Sequence, residues 1–138
     1  MGRSRFAKAC EFAAGRREWS PDEEKFRQRV EDAYPILRRT AVNGDTITYT
    51  ELADSIETNR RMYLSCILDA ISYLEALDGN PPLTAVVVRS TTGYPSEGMV
   101  ELVEELELPY DADNLDSEEM TEEMIRDVHD YWRQNPVE

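Results

Sequence analysis

Between Thr46 and Met99 the chain sets short blocks of unlike periodicity in a fixed order, and that order constrains the fold more than any other feature. Residues 46–49 are β-branched or aromatic and read as a short strand. Thr50 can then cap a helix over residues 51–56, and Glu57 and Thr58 make a brief turn. A longer helix over residues 59–77 follows, with Tyr63, Cys66, Ile67, Ala70, Ile71, Leu74 and Leu77 on one stripe that needs a facing core. Asp78-Gly79-Asn80-Pro81-Pro82 stops it. The apolar run over residues 83–89 reads as a continuous strand, and residues 90–98 carry the Gly and Pro of a hairpin or wing.

The flanks extend this unit. Ser20, Pro21 and Glu23 form a capping box with proline at the first helical position, after which Phe26, Val30, Ala33, Tyr34 and Leu37 repeat at helical spacing. Pro35 removes an amide donor and is expected to kink or split that helix, and Asn43-Gly44-Asp45 is the turn out of it. Met99, Leu102, Val103 and Leu106 predict a short amphipathic helix ending at Pro109. Beyond an acidic linker, Asp116 and Glu119 can cap a last helix with Met120, Met124, Val128 and Tyr131 inward. The expected fold is α+β and mostly helical, a winged helix-turn-helix with extra terminal helices. A basic helix or arm spans residues 1–19, the winged-helix core residues 20–109, and an acidic linker with its helix residues 110–138. A length of 138 residues suits one domain with its own core.

Charge is uneven. Residues 1–61 carry 12 Lys/Arg and 11 Asp/Glu, whereas residues 62–138 carry 3 and 18. Only Lys8 and Lys25 are lysines. A net charge of −14 with so little lysine is the composition of a protein from a salt-saturated cytoplasm, and a halophilic archaeal source is the expectation. At molar salt the screening length shrinks to about 3 Å, so acidity alone does not exclude DNA. Basic residues gather at Arg3, Arg5, Lys8, Arg16 and Arg17, at Lys25, Arg27, Arg29, Arg38 and Arg39, and at Arg60 and Arg61. They form either an anion-facing surface or pairs with the acidic C-terminal half, within the molecule or across a dimer.

No catalytic constellation is visible. Cys10 and Cys66 fall in separate helix-like patterns and read as reduced, buried thiols. Pro21, Asp22, Glu23, Glu24 and Lys25 hold the letters of a restriction-type nuclease, but all five lie in one helix start. His129 is the only histidine, beside Tyr131 and Trp132 in an acidic helix, and reads as a packed or exposed residue. There is no Gly-rich phosphate loop, and the carboxylates over residues 97–130 lack the alternation of a cation-binding loop. No enzyme, cofactor or metal is expected. With no signal-peptide pattern and no membrane-length apolar run, the expected location is the cytoplasm.

Four segments carry a resemblance: Ile47-Thr48-Tyr49-Thr50-Glu51-Leu52-Ala53, Pro81-Pro82-Leu83-Thr84-Ala85-Val86-Val87-Val88, Thr92-Gly93-Tyr94-Pro95-Ser96-Glu97-Gly98 and Asp130-Tyr131-Trp132. Over about residues 36–132 the chain resembles a group of small, uncharacterised prokaryotic winged-helix proteins, departing at Ser96, where glycine is usual, and at Met99, where an aromatic is usual. More distantly it is similar to the DNA-binding domain of alkylguanine alkyltransferases. Those enzymes need a Pro-Cys-His-Arg segment, and Val86-Val87-Val88-Arg89 stands in the comparable place, which removes alkyl transfer.

The resulting expectation is a non-enzymatic winged-helix protein that binds double-stranded DNA. Thr58, Asn59, Arg60 and Arg61 at the start of the long helix would read bases or hold phosphate. Arg89, Thr91, Thr92 and Tyr94 would touch the backbone from the wing. Asp69 would limit how deeply the helix inserts. The alternative is a protein-interaction module on the same scaffold, with a protein partner or a second copy.

Overall fold

The computed structural model describes residues 2–17, 23–57, 62–95, 98–110 and 117–135. The arrangement is α+β and mostly helical: α1 Gly2–Arg17, α2 Glu23–Val42, β1 Ile47–Thr48, α3 Tyr49–Ser55, α4 Met62–Leu77, β2 Val87–Val88, α5 Gly98–Glu105 and α6 Ser117–Gln134. A 3-10 turn over Leu83–Val86 leads directly into β2. The strands pair in parallel, with Ile47 opposite Val87 and Thr48 opposite Val88.

Helix α4 is the centre of the core. Leu64, Cys66, Ile67, Ala70 and Ile71 are fully enclosed, and α1, α2 and the 3-10 turn all pack against this helix. Ala9 and Ala13 let α1 approach closely, and the Phe12 ring lies 5.2 Å from that of Tyr73 on α4. Helix α2 contributes Phe26, Val30, Ala33, Leu37 and Ala41 at helical spacing. Helix α6 lies against α2 and the 3-10 turn with Met120, Met124, Val128 and Trp132, one residue every turn.

Several boundaries differ from the sequence-based expectation, each for a local reason. Thr48 rather than Thr50 caps α3, because Glu51 then falls three residues on and completes a capping box: Glu51 N–H donates to Thr48 Oγ1 at 3.1 Å and Thr48 N–H to Glu51 Oε1 at 3.0 Å. Pro35 does not split α2, since it lies on an exposed face where the carbonyl it orphans can be solvated. The apolar run after Pro82 begins as a 3-10 turn, so only two residues of it are strand. Leu77 leaves the buried stripe and is half exposed, whereas on α6 Trp132 is buried in the core and Tyr131 is partly buried against it. Asp69 is 3 % exposed and faces the interior, so it does not meet a phosphate backbone in this fold. The capping box placed at Ser20 lies outside the described residues.

Three helices end in the same hydrogen-bonded closure, with the residue past the helix in the left-handed region. At α2, Gly44 N–H donates to Ala41 O and Asp45 N–H to Thr40 O, both at 3.0 Å. At α4, Gly79 and Asn80 donate to Ala76 and Glu75 carbonyls at 3.1 and 3.0 Å. At α5 the left-handed residue is Glu107, with φ of 52°, where glycine is easiest. Glu57 has the same φ after α3.

Candidate nucleic-acid interface

The proposed contact residues divide into two groups. Thr58, Asn59, Arg60 and Arg61 lie outside the described residues, between buried Ile56 and the start of α4. Arg89, Thr91 and Thr92 are exposed at the C-terminal end of β2, and the guanidinium of Arg89 makes no side-chain hydrogen bond or ion pair among the described residues. Because β1 and β2 run in parallel, this loop and the start of α3 leave the sheet at the same end of the strands.

The loop is a closed turn rather than a hairpin. Gly93 N–H donates to Arg89 O at 2.8 Å and Arg89 N–H donates to Tyr94 O at 2.9 Å, while Thr92 Oγ1 accepts from Tyr94 N–H at 3.1 Å. Gly93, at φ of 75°, permits the reversal. Among the described residues no return strand follows, and Pro95, which has no amide donor, is buried immediately after the turn. Tyr94 is half-buried, and its hydroxyl donates to Glu122 Oε1 of α6 at 2.6 Å, which engages the hydroxyl within the molecule and puts a carboxylate beside the loop.

The basic face expected along α2 is largely engaged within the molecule. Arg27 pairs with Glu31 at 3.1 Å, and Arg29 donates to the Ile56 carbonyl at 2.9 Å with Asp32 at 3.9 Å. The Arg38 guanidinium lies 4.3 Å from the Tyr34 ring centre and 5.6 Å from that of Trp132. At the start of α3, hydrogen bonding from the Thr48 backbone N–H, and then from its side chain, holds the Glu51 carboxyl below its ordinary range, so a negative charge already occupies that helix end.

Sequence reasoning missed the polar cluster under the end of α4. Glu75 is 3 % exposed and accepts Asn80 Nδ2 at 2.8 Å and the Tyr34 hydroxyl. Burial raises its carboxyl pKa against the lowering effect of these donors and of Arg38. The Tyr34 hydroxyl is pushed well above its ordinary value, first by burial and then by Glu75. Arg38 Nε and Trp132 Nε1 are buried with no hydrogen-bond partner among the described residues. The Tyr34 to Arg38 spacing of one turn was visible in the chain, but Glu75 reads as an ordinary surface carboxylate. The cluster can retain a proton; it presents no nucleophile to a substrate.

His129 Nε2 lies 2.9 Å from the Asp45 carbonyl, which can only accept, so that nitrogen carries the proton. The bond fastens α6 to the turn after α2, and the Arg133 guanidinium lies directly over Gly44 of the same turn. Among the described residues no helix is long and apolar enough to cross a membrane. Comparison of the chain with models of known families, with curated proteins and with solved structures finds no match in any of the three.

Proposed function

We propose that this chain is a non-enzymatic winged-helix protein that binds double-stranded DNA through Thr58, Asn59, Arg60 and Arg61 and through Arg89, Thr91 and Thr92. The observation that carries the reading is the exposed Arg89, whose guanidinium has no partner among the described residues, in a turn whose backbone is fixed by two hydrogen bonds at the end of a parallel strand pair. A rigid turn leaves the backbone little freedom to lose when Arg89 meets a phosphate, and the planar donors of the guanidinium suit that acceptor. The order β1, α3, α4, β2 and loop supports the same reading. Tyr94 is left out of the proposed contacts because Glu122 holds its hydroxyl.

A protein-interaction module is the second reading, and that same Glu122 favours it, since a carboxylate beside the loop repels phosphate and attracts a basic partner. Fluorescence anisotropy of a labelled duplex, titrated with the full chain over a series of KCl concentrations, separates the two. DNA binding predicts saturable association that weakens with salt and a smaller salt slope for Arg89→Ala. No association at any salt, together with a stable co-purifying protein, supports the second reading.

A further inference from the structure

We propose that the cleft between the end of α4, the segment after α5 and helix α6 binds a small organic cation, an ammonium or guanidinium carried on an alkyl stem. The inference is independent of the nucleic-acid reading. The cleft, about half open to solvent, has a volume of about 390 Å³, enough for a small molecule. Ala76 and Pro81 on one side and Leu106 and Leu108 on the other give it apolar walls suited to a methylene chain.

The polar atoms set the sign of the ligand. Asn80 uses an amide N–H on Glu75 Oε2 at 2.8 Å, and Tyr110 uses its hydroxyl proton on Asp127 Oδ2 at 2.8 Å. Burial, followed by Asp127, pushes the ionisation of Tyr110 far up, so the phenol remains the donor of that pair. What these side chains still offer is the second Asn80 amide N–H, which donates, and the Asn80 carbonyl oxygen, the second Asp127 oxygen and the exposed Glu107 carboxylate, which accept, so acceptors outnumber donors and both charges are negative. Among the described residues no Lys, Arg or His lines the cleft. A phosphate or carboxylate ligand therefore meets like charge, and a neutral alcohol leaves the carboxylates unpaired. A metal ion lacks its ligand set, because the described residues hold no group of three or more His, Cys, Asp or Glu side chains placed to bind one. An ammonium with three N–H donors, or a guanidinium with five, matches a wall rich in acceptors and carrying two carboxylates.

Glu107 holds the left-handed position that ends α5, at φ of 52°, while Gly79 holds the corresponding position on the opposite side of the cleft. Glu57 shares that conformation after α3, so strain by itself assigns nothing; the volume of the cleft, its apolar walls and its two carboxylates assign the ligand.

The test is amide NMR of the full chain in buffer of constant KCl, titrated separately with 1,5-diaminopentane, agmatine, n-pentanol and MgCl₂. The diamine and agmatine should produce saturable one-to-one shifts at Gly79, the Asn80 side-chain amide, Glu107 and Leu108. Asp127→Asn and Glu107→Gln should each weaken binding about tenfold, as expected on loss of a charge-assisted hydrogen bond. Glu24→Gln, which removes an exposed carboxylate of α2 outside the cleft, should leave affinity within about twofold. Melting curves matching the parent's establish that the variants fold, and Glu107, being exposed, supplies a variant that does not disturb the core. Non-saturating shifts spread over the acidic surface, binding unaffected by both cleft variants, or equal affinity for pentanol or Mg²⁺ would overturn the proposal.

Discussion

Replacing Ile71 by alanine probes the part of the fold on which every other assignment depends. Ile71 is fully enclosed on α4, the helix against which α1, α2 and the 3-10 turn pack. Removing its outer carbons forfeits their burial and leaves a cavity that can shrink only if neighbouring elements move, at about 2–5 kcal/mol for such a change. Contact on several sides of α4 resists collapse and puts the expected loss in the upper half, about 3–5 kcal/mol. That is a large share of the roughly 5–15 kcal/mol that holds a domain together. At about 3 °C per kcal/mol for a chain of this size, the melting midpoint should fall by about 10 °C or more. Leu77→Ala on the same helix is the control, because Leu77 is 50 % exposed and its loss should cost less than about 1 kcal/mol. Urea unfolding followed by far-ultraviolet circular dichroism and by tryptophan fluorescence, in constant KCl, measures both variants against the parent. If Ile71→Ala melts with the parent while Leu77→Ala falls sharply, α4 presents its other face to the core and the packing described here is wrong.

Gly44→Ala forces a side chain into the left-handed region and against the Arg133 guanidinium; it should cost about 1–3 kcal/mol, and Arg133→Ala in the double variant should restore part of it. Burial raises the Glu75 carboxyl pKa above its ordinary 4.5, so the folded state binds more protons between 4.5 and the raised value. Its contribution to stability is therefore fully present below pH 4.5 and is lost as pH rises through the raised pKa. Glu75→Gln should flatten that part of the pH–stability curve and leave the protein at least as stable at pH 7; an unchanged profile would show that Glu75 does not titrate across the window. Raising KCl from dilute buffer towards molar concentration should increase the melting midpoint, because screening relieves repulsion in a chain of net charge −14, and a flat response would contradict the halophilic reading.

The helices were legible wherever apolar spacing was sustained. Met120, Met124 and Val128 on α6, and Phe26, Val30, Ala33 and Leu37 on α2, are inward as their periodicity requires. The cap of α3 was legible too: Thr48 followed by Glu51 is the two-residue signature, and choosing Thr50 overlooked it. The run after Pro82 was not, because a short apolar stretch does not by itself distinguish strand from tight helix. Glu107 and Glu57 carry no warning in the sequence, since left-handed helix ends are recognised by glycine or asparagine. The cleft was illegible for a different reason: it joins Asn80, Glu107 and Asp127 from three distant segments, and no spacing rule connects them. Of the proposed contacts, Arg89, Thr91 and Thr92 are exposed together as the turn residues suggested, while Tyr94 is claimed by a helix that lies 28 residues further along the chain.

The most direct test of DNA binding is amide NMR of the full chain titrated with a duplex at low and at high KCl. The account predicts saturable shifts confined to residues 58–61 and to Arg89, Thr91 and Thr92, diminishing as salt rises and lost at 58–61 in the Arg60→Ala, Arg61→Ala double variant. Shifts centred on α2 or α6, or a spectrum unchanged by duplex at every salt concentration, would contradict it.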